Sequence, residues 1–406
     1  MPAPRPRIVD ADGHVLEHPS RMLEHIESRY RDRCWHFETD REGTEWLCFD
    51  GRKRLGNGMS LAGAGGMTLE ERKRALAGEY RYTEMKSGAF EPAARLSELA
   101  VDGIEQAVVY PTNFLGISSL RDQDFAEAQA RAYNRWVAEY CSHSPKRLFG
   151  IAAIPQIEIG RAVRMLCEVR ELGLVGVFLR PNPSQDQRWF SDSLYDPLWA
   201  TCQELDLTIG FHPFLAPDMP GAVRALGLAE YVAPGAVPNP GGVDPDSDTY
   251  GMRNIFFSQA LGNVFDMQMT LSWLICGGVL ERFPSLRVIF LEANGGWIVP
   301  LLERLDHHHE IFQWEVPGMK HKPSEYFRRQ CWISFDPDES TLRLTAESPL
   351  VGADRIIWAS DYPHPDAKIP GVVDELRHSM QGLSQAAKDR ILGLNAVELY
   401  GLPEPG

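Results

Sequence analysis

Short runs of apolar, β-branched residues alternate with stretches of helical period along most of the chain, as repeated strand–helix–strand units require. Eight of these runs are predicted to be strands: Arg7–Asp12, Gln106–Pro111, Leu148–Pro155, Gly176–Arg180, Leu207–His212, Arg287–Ala293, Cys331–Phe335 and Arg355–Asp361. Between them the 3.6-residue period predicts helices over Pro92–Gly103, Asp124–His143, Gly160–Leu172, Pro197–Leu205, Met267–Arg282 and Trp297–Trp314. Eight strands with intervening helices fit an α/β fold of the closed (β/α)8 TIM-barrel type. No Gly-rich dinucleotide or phosphate fingerprint follows the first strand to favour an open doubly wound sheet.

Two connections are too long to be simple loops. Residues 20–90, after the first strand, hold an alternating stretch, Trp35–Phe49, followed by Asp50-Gly51, which predicts a small hairpin. Residues 214–260, after the fifth strand, are rich in Pro, Gly and Asp, the composition of a functional lid. Both should overhang the mouth of the barrel. The expected organisation is therefore one barrel over residues 1–406, with a small inserted subdomain at about 20–90 and a lid at about 214–260.

Composition narrows the function more than the fold. A formal net charge of −15 and no basic run argue against nucleic acid or an anionic membrane as partner. Seven scattered cysteines without a Cys-x-x-Cys pair suit a reducing compartment. No signal-like core or membrane-length apolar stretch appears, so a cytoplasmic protein acting on a small molecule is expected.

Chemistry collects at the strand ends. Asp12 and His14 stand two apart after the first strand, a spacing that puts both side chains on one face. His212 ends the fifth strand before Pro213, and Asp361 ends the eighth. Singly, Asp12 and Asp361 read equally well as caps and the histidines as packed polar groups. Together, two imidazoles and two carboxylates on one rim are what a divalent metal needs, with Asp361 also placed to take a proton from bound water. His364 is assigned a non-ligand role beside Asp361, in catalysis or substrate contact. Arg180, at the end of the fourth strand, suits a substrate carboxylate, or a salt bridge within the barrel layers. The run His307-His308-His309 lies in a helix, where neighbours point about 100° apart and do not converge on one ion.

These residues resemble the amidohydrolase superfamily, in its amidohydrolase-related branch, which includes aminocarboxymuconate-semialdehyde decarboxylase and aromatic acid decarboxylases. The Asp12-Gly13-His14 pair, His212 and Asp361 match the family's motifs in order. Leu99–Val108, Arg180-Pro181-Asn182-Pro183, Tyr195-Asp196-Pro197-Leu198-Trp199 and Gly277–Val288 match as well, so the resemblance spans about residues 7–400. It implies a barrel enzyme with Asp12, His14, His212 and Asp361 as metal ligands, and a homodimer or higher homo-oligomer. Where many relatives carry a His after the sixth strand, this chain reads Glu292-Ala293-Asn294; Asn294 aligns with that His, and Glu292 is the other residue available to face the substrate. Strand four offers no lysine to bridge two metals, so one ion is expected, zinc first and manganese as the alternative.

The leading expectation from this reading is hydrolysis, by metal-activated water, of a small cyclic or aromatic carboxylic acid derivative. The alternative is metal-dependent, non-oxidative decarboxylation of an aromatic or muconate-like acid, with the proton supplied by Asp361 or His364. A third reading is a barrel that binds a ligand without turning it over.

Overall fold

Parallel pairing of successive strands builds one eight-stranded sheet. The computed structural model describes residues 7–55, 61–76, 79–181, 188–213, 227, 231–235 and 255–405. Its strands, in chain order, are β1 (Val9–Val15), β2 (His36–Thr39), β3 (Glu45–Phe49), β4 (Arg52–Leu55), β5 (Gln106–Pro111), β6 (Leu148–Ala152), β7 (Gly176–Leu179), β8 (Thr208–Phe211), β9 (Val288–Phe290), β10 (Cys331–Phe335) and β11 (Ile356–Trp358). The large sheet runs β1-β5-β6-β7-β8-β9-β10-β11. Its ends meet through two backbone bonds, Asp361 N to Asp12 O at 3.2 Å and His14 N to Tyr362 O at 2.6 Å. With helices between the strands, this is a (β/α)8 barrel, and each of the eight predicted strands has its counterpart.

The strands are buried along their length because both faces are covered, lumen on one side and helices on the other. Helix Gln123–Ser142 shows how the outer layer docks. Asp122 caps it by accepting from Phe125 N at 3.2 Å, and Phe125, Ala128, Gln129, Ala132, Tyr133, Trp136 and Tyr140 form its buried stripe.

β1 departs from the predicted run. It begins two residues later and extends through Gly13-His14 to Val15, with a register shift between Asp10 and Gly13. That bulge breaks the simple alternation and lets Asp10 face away from Asp12 and His14. The predicted hairpin is part of a three-stranded antiparallel sheet, β2-β3-β4. Asp50 and Gly51 turn β3 into β4 with φ of 52° and 73°, the left-handed pair that a two-residue hairpin turn demands. The pattern alone hid β4 because Arg52-Lys53-Arg54 carries no apolar alternation. The expected lid at 214–260 lies outside the described residues, apart from Gly227, residues 231–235 and residues 255–260.

Candidate functional site

Two buried imidazoles face each other across the barrel mouth. His14, near the end of β1, directs Nδ1 at the Pro111 carbonyl oxygen, 2.9 Å away. His212, just after β8, directs Nδ1 at the Pro213 carbonyl oxygen at 2.9 Å. A carbonyl only accepts, so each Nδ1 carries the proton and each Nε2 presents a lone pair. Those two Nε2 atoms lie 3.3 Å apart. Burial pushes the His212 imidazole down to about 3, and holds His14 well below its usual range with help from His364 and His212. Neither ring therefore takes up a second proton near neutrality to relieve the opposed lone pairs.

Carboxylates close around them. Asp12 Oδ1 lies 3.7 Å and Asp361 Oδ1 3.4 Å from His14 Nε2, and Glu292 Oε2 lies 3.3 Å from His212 Nε2. Asp12 Oδ1 is buried without a hydrogen-bond partner. Burial raises the Asp12, Asp361 and Glu292 carboxyls well above the carboxylate range; repulsion from Asp10 and Asp336 adds to it at Asp12, and repulsion from Asp366 and Asp12 at Asp361 and Glu292. Ligand atoms of Asp12, His14 and His212 lie within 4.8 Å of one another, as do those of His14, Asp361 and His364. Opposed lone pairs, an unpartnered buried oxygen and several carboxyls in one place all call for a positive charge at their centre, and this N/O donor set fits a divalent cation.

His364 extends the cluster. Its ring stacks on His14 with centroids 4.0 Å apart, its Nδ1 lies 2.8 Å from Asp361 Oδ1 and its Nε2 3.0 Å from Thr112 Oγ1. Thr112 donates its hydroxyl proton to the Val15 carbonyl at 2.9 Å, so the threonine oxygen accepts from Nε2–H. One further proton must then lie in the Asp361–His364 contact, on one atom or the other. Burial also keeps the His364 imidazole down at about 4, while it raises Asp361.

The remaining expected residues fall nearby in different ways. Glu292 and Asn294, in the turn after β9, and Asp361 all adopt left-handed backbone, with φ of 47°, 55° and 52°. Strain of this kind in non-glycine residues gathers at functional sites. Glu292 reaches His212, whereas Asn294 is exposed and donates through Nδ2 to Asp336 Oδ2 at 2.9 Å. Arg180 is buried directly after β7, and its backbone is held from both sides by Gln156. The histidine run does not converge: His308 Nδ1 bonds the Arg304 carbonyl at 2.9 Å, and the His307 and His308 rings meet edge-on. A separate group on the small sheet, His36, Glu38 and Cys48, has Glu38 already engaged by Lys53 at 2.8 Å.

Sequence reasoning missed several supporting residues. Asp10 and Arg95 are fully buried beneath the site, and Glu17 is a buried carboxylate that accepts from Thr112 N, Asn113 N, Asn113 Nδ2 and Phe114 N at 2.8–3.1 Å. Arg95 carried a readable signal: it shares the buried face of its helix with Leu99, where a lone charge needs a partner. Thr112, after β5, carried none.

Residues 9–402 match the amidohydrolase family. The chain belongs to that family. Among curated relatives, this amidohydrolase is 24% identical over 326 residues to 2-amino-3-carboxymuconate-6-semialdehyde decarboxylase of Dictyostelium discoideum, covering 79% of each chain. It is 26% identical over 309 residues to gamma-resorcylate decarboxylase of a Polaromonas strain, covering 74% of this chain and 84% of that one. Among solved structures, an amidohydrolase of Mycobacterium avium subsp. paratuberculosis superposes with a TM-score of 0.74 at 21% identity, over 98% of this chain and all of that one. The 5-carboxyvanillate decarboxylase of Novosphingobium aromaticivorans, solved with manganese and 4-hydroxy-3-methoxy-5-nitrobenzoic acid, gives 0.62 at 19% identity, over 98% and 96%.

These matches correct the expectation of hydrolysis, because the relatives are decarboxylases. The physical reason is that an aspartate 2.8 Å from an imidazole can take up or give a proton alike, so a metal, a water and a carboxylate in the sequence do not select hydrolysis. Among the described residues no helix is long and apolar enough to cross a membrane.

Proposed function

We propose that this amidohydrolase catalyses metal-dependent, non-oxidative decarboxylation of an aromatic or muconate-like carboxylic acid. The observation that carries this reading is the meeting of the two Nε2 atoms, 3.3 Å apart, with Asp12 and Asp361 beside a proton-bearing Asp361–His364 contact of 2.8 Å. In this reading Asp12, His14, His212 and Asp361 hold one divalent cation. Manganese comes ahead of zinc, because an oxygen-rich set of imidazoles and carboxylates suits it and a related decarboxylase was solved with it. Such a cation supplies Lewis acidity for the substrate's carboxylate and adjacent oxygen.

The protein's own groups do the rest. Arg180 is assigned to a second anionic group of the substrate, and Glu292 and Asn294 to its hydroxyls. The Asp361–His364 pair delivers its proton to the carbon that bears the carboxylate, forming a C–H bond. The C–C bond then breaks, its electron pair restores the conjugated system, and carbon dioxide leaves. One proton enters for each carbon dioxide lost, and solvent restores the pair.

The test is incubation of the manganese-loaded protein with ortho-hydroxybenzoates and muconate semialdehyde acids in D2O. Expected are stoichiometric carbon dioxide and a product with one deuterium at the carbon that lost the carboxylate. A product that keeps every carbon and gains water would overturn the reading.

A further inference from the structure

Arg95, on helix Pro92–Val101, is fully buried although it contributes no atom to the cluster at the mouth. Its Nη1 donates to the His14 carbonyl at 2.8 Å and to the Tyr362 carbonyl at 3.4 Å. Its Nη2 lies 3.7 Å from Asp10 Oδ2, and its guanidinium carbon lies over the Tyr362 ring, 4.3 Å from the centroid. Asp10 in turn accepts from Ser360 N at 3.0 Å and Ser360 Oγ at 2.7 Å. The Arg95–Asp10 pair thus grips His14 itself and the residues on either side of Asp361.

The strands it joins are β1 and β11, the two ends of the sheet order, where the barrel closes through the Asp361–Asp12 and His14–Tyr362 backbone bonds. Gly13 leaves room for the arrangement. A Cβ there would overlap the Arg95 guanidinium and sit 2.6 Å from Asp10 Oδ2. Among the described residues Arg95 Nε and Nη2 make no hydrogen bond, so the guanidinium ties the two strands through Nη1 on the His14 and Tyr362 carbonyls, with Asp10 balancing its buried charge at 3.7 Å.

We propose that Arg95, paired with Asp10, is a positioning residue that sets the gap between His14 and Asp361 and so the affinity of the mouth for a divalent cation. This rests on the metal-binding reading above. Groups that orient ligands from behind typically change metal affinity by about 10- to 100-fold when removed.

The experiment titrates purified protein with manganese chloride, reading free Mn²⁺ by electron paramagnetic resonance, and records thermal unfolding of the metal-free protein alongside. Arg95→Met should weaken manganese binding by about 10- to 100-fold in protein that is still folded at the assay temperature, and Arg95→Lys by less. Gly13→Ala keeps every charge but displaces the guanidinium, and should weaken binding in the same direction should Arg95→Met fail to fold. Folded variants that bind manganese as tightly as the parent, with only a lower unfolding temperature, would reduce Arg95 to a structural staple and overturn the proposal. A parent protein that binds no divalent ion would instead remove the metal-site reading on which it depends.

Discussion

On the seam between β1 and β11, His14 is fixed by the Pro111 carbonyl, by Arg95 beneath its backbone and by His364 stacked on its face. Along the neighbouring rim, after β9 and β10, Glu292, Asn294, Asp336 and Glu339 crowd together, more open to solvent than His14, with Glu292 and Asn294 on left-handed backbone. The seam presents rigid donors whose protonation is set by carbonyl partners. The neighbouring rim presents acids held by local donors: Asp336 accepts from the Asn294 amide, and Glu339 from the Gly295 and Asp336 backbone N–H groups. Under the proposed function, the rigid side would hold the cation and the looser side would adapt to the substrate.

The comparison breaks most sharply at the histidines. His212→Ala should abolish stoichiometric metal in elemental analysis and lower turnover by at least about a hundredfold, since ligand and geometry are lost together. Asp361→Asn, which cannot share a proton with His364, should lower kcat by about 10²- to 10⁴-fold while some metal stays bound. Turnover close to that of the parent would remove Asp361 from the proton pathway.

On the looser rim the effects should be smaller. Glu292→Gln keeps the shape and removes a charge; about a tenfold change in kcat/KM, or about 1.4 kcal/mol, is expected with metal retained. A loss as large as that at His212 would make Glu292 part of the rigid set. Glu339→Ala strips acceptors from Gly295 N and Asp336 N, and should cost about 1–2 kcal/mol in denaturant unfolding.

Acidity sharpens the contrast in the metal-free protein. His212 is held down at about 3, against 6.5 for the free side chain, so the unfolded chain binds a proton that the folded chain refuses. Its contribution to stability is complete above pH 6.5 and declines as pH falls towards 3. Asp336 runs the other way: burial, with repulsion from Glu339, raises it to about 7 from 3.8, so its contribution is complete below 3.8 and is lost as pH rises towards 7. Asp336→Asn should therefore flatten the neutral side of the unfolding-temperature profile and leave the acidic side steep. An unchanged profile would show that Asp336 titrates normally.

The barrel was legible because each strand is a short β-branched run with polar residues at its end, and because the same ends carry Asp12, His212 and Asp361. What the sequence hid were choices made by neighbours distant in the chain. The bulge in β1 separates Asp10 from Asp12, although simple alternation puts both on one face. Thr112 becomes an acceptor for His364 only because Val15 takes its proton. The choice of chemistry was hidden for the same reason: an aspartate at a strand end reads as a base or an acid alike until the partner of its proton is known.

Glu17 carries a different lesson. Buried after β1, it gathers three consecutive backbone N–H groups and an amide from the loop after β5, pinning the start of the long excursion at residues 20–90 to the neighbouring strand. The excursion also reaches the site by a second route: Leu16 N donates to the Ala89 carbonyl at 3.0 Å, and Gly65 N to the Pro363 carbonyl at 2.8 Å, next to the His364 that stacks on His14. Changes in the decoration above the mouth should therefore be felt at His364 through this turn.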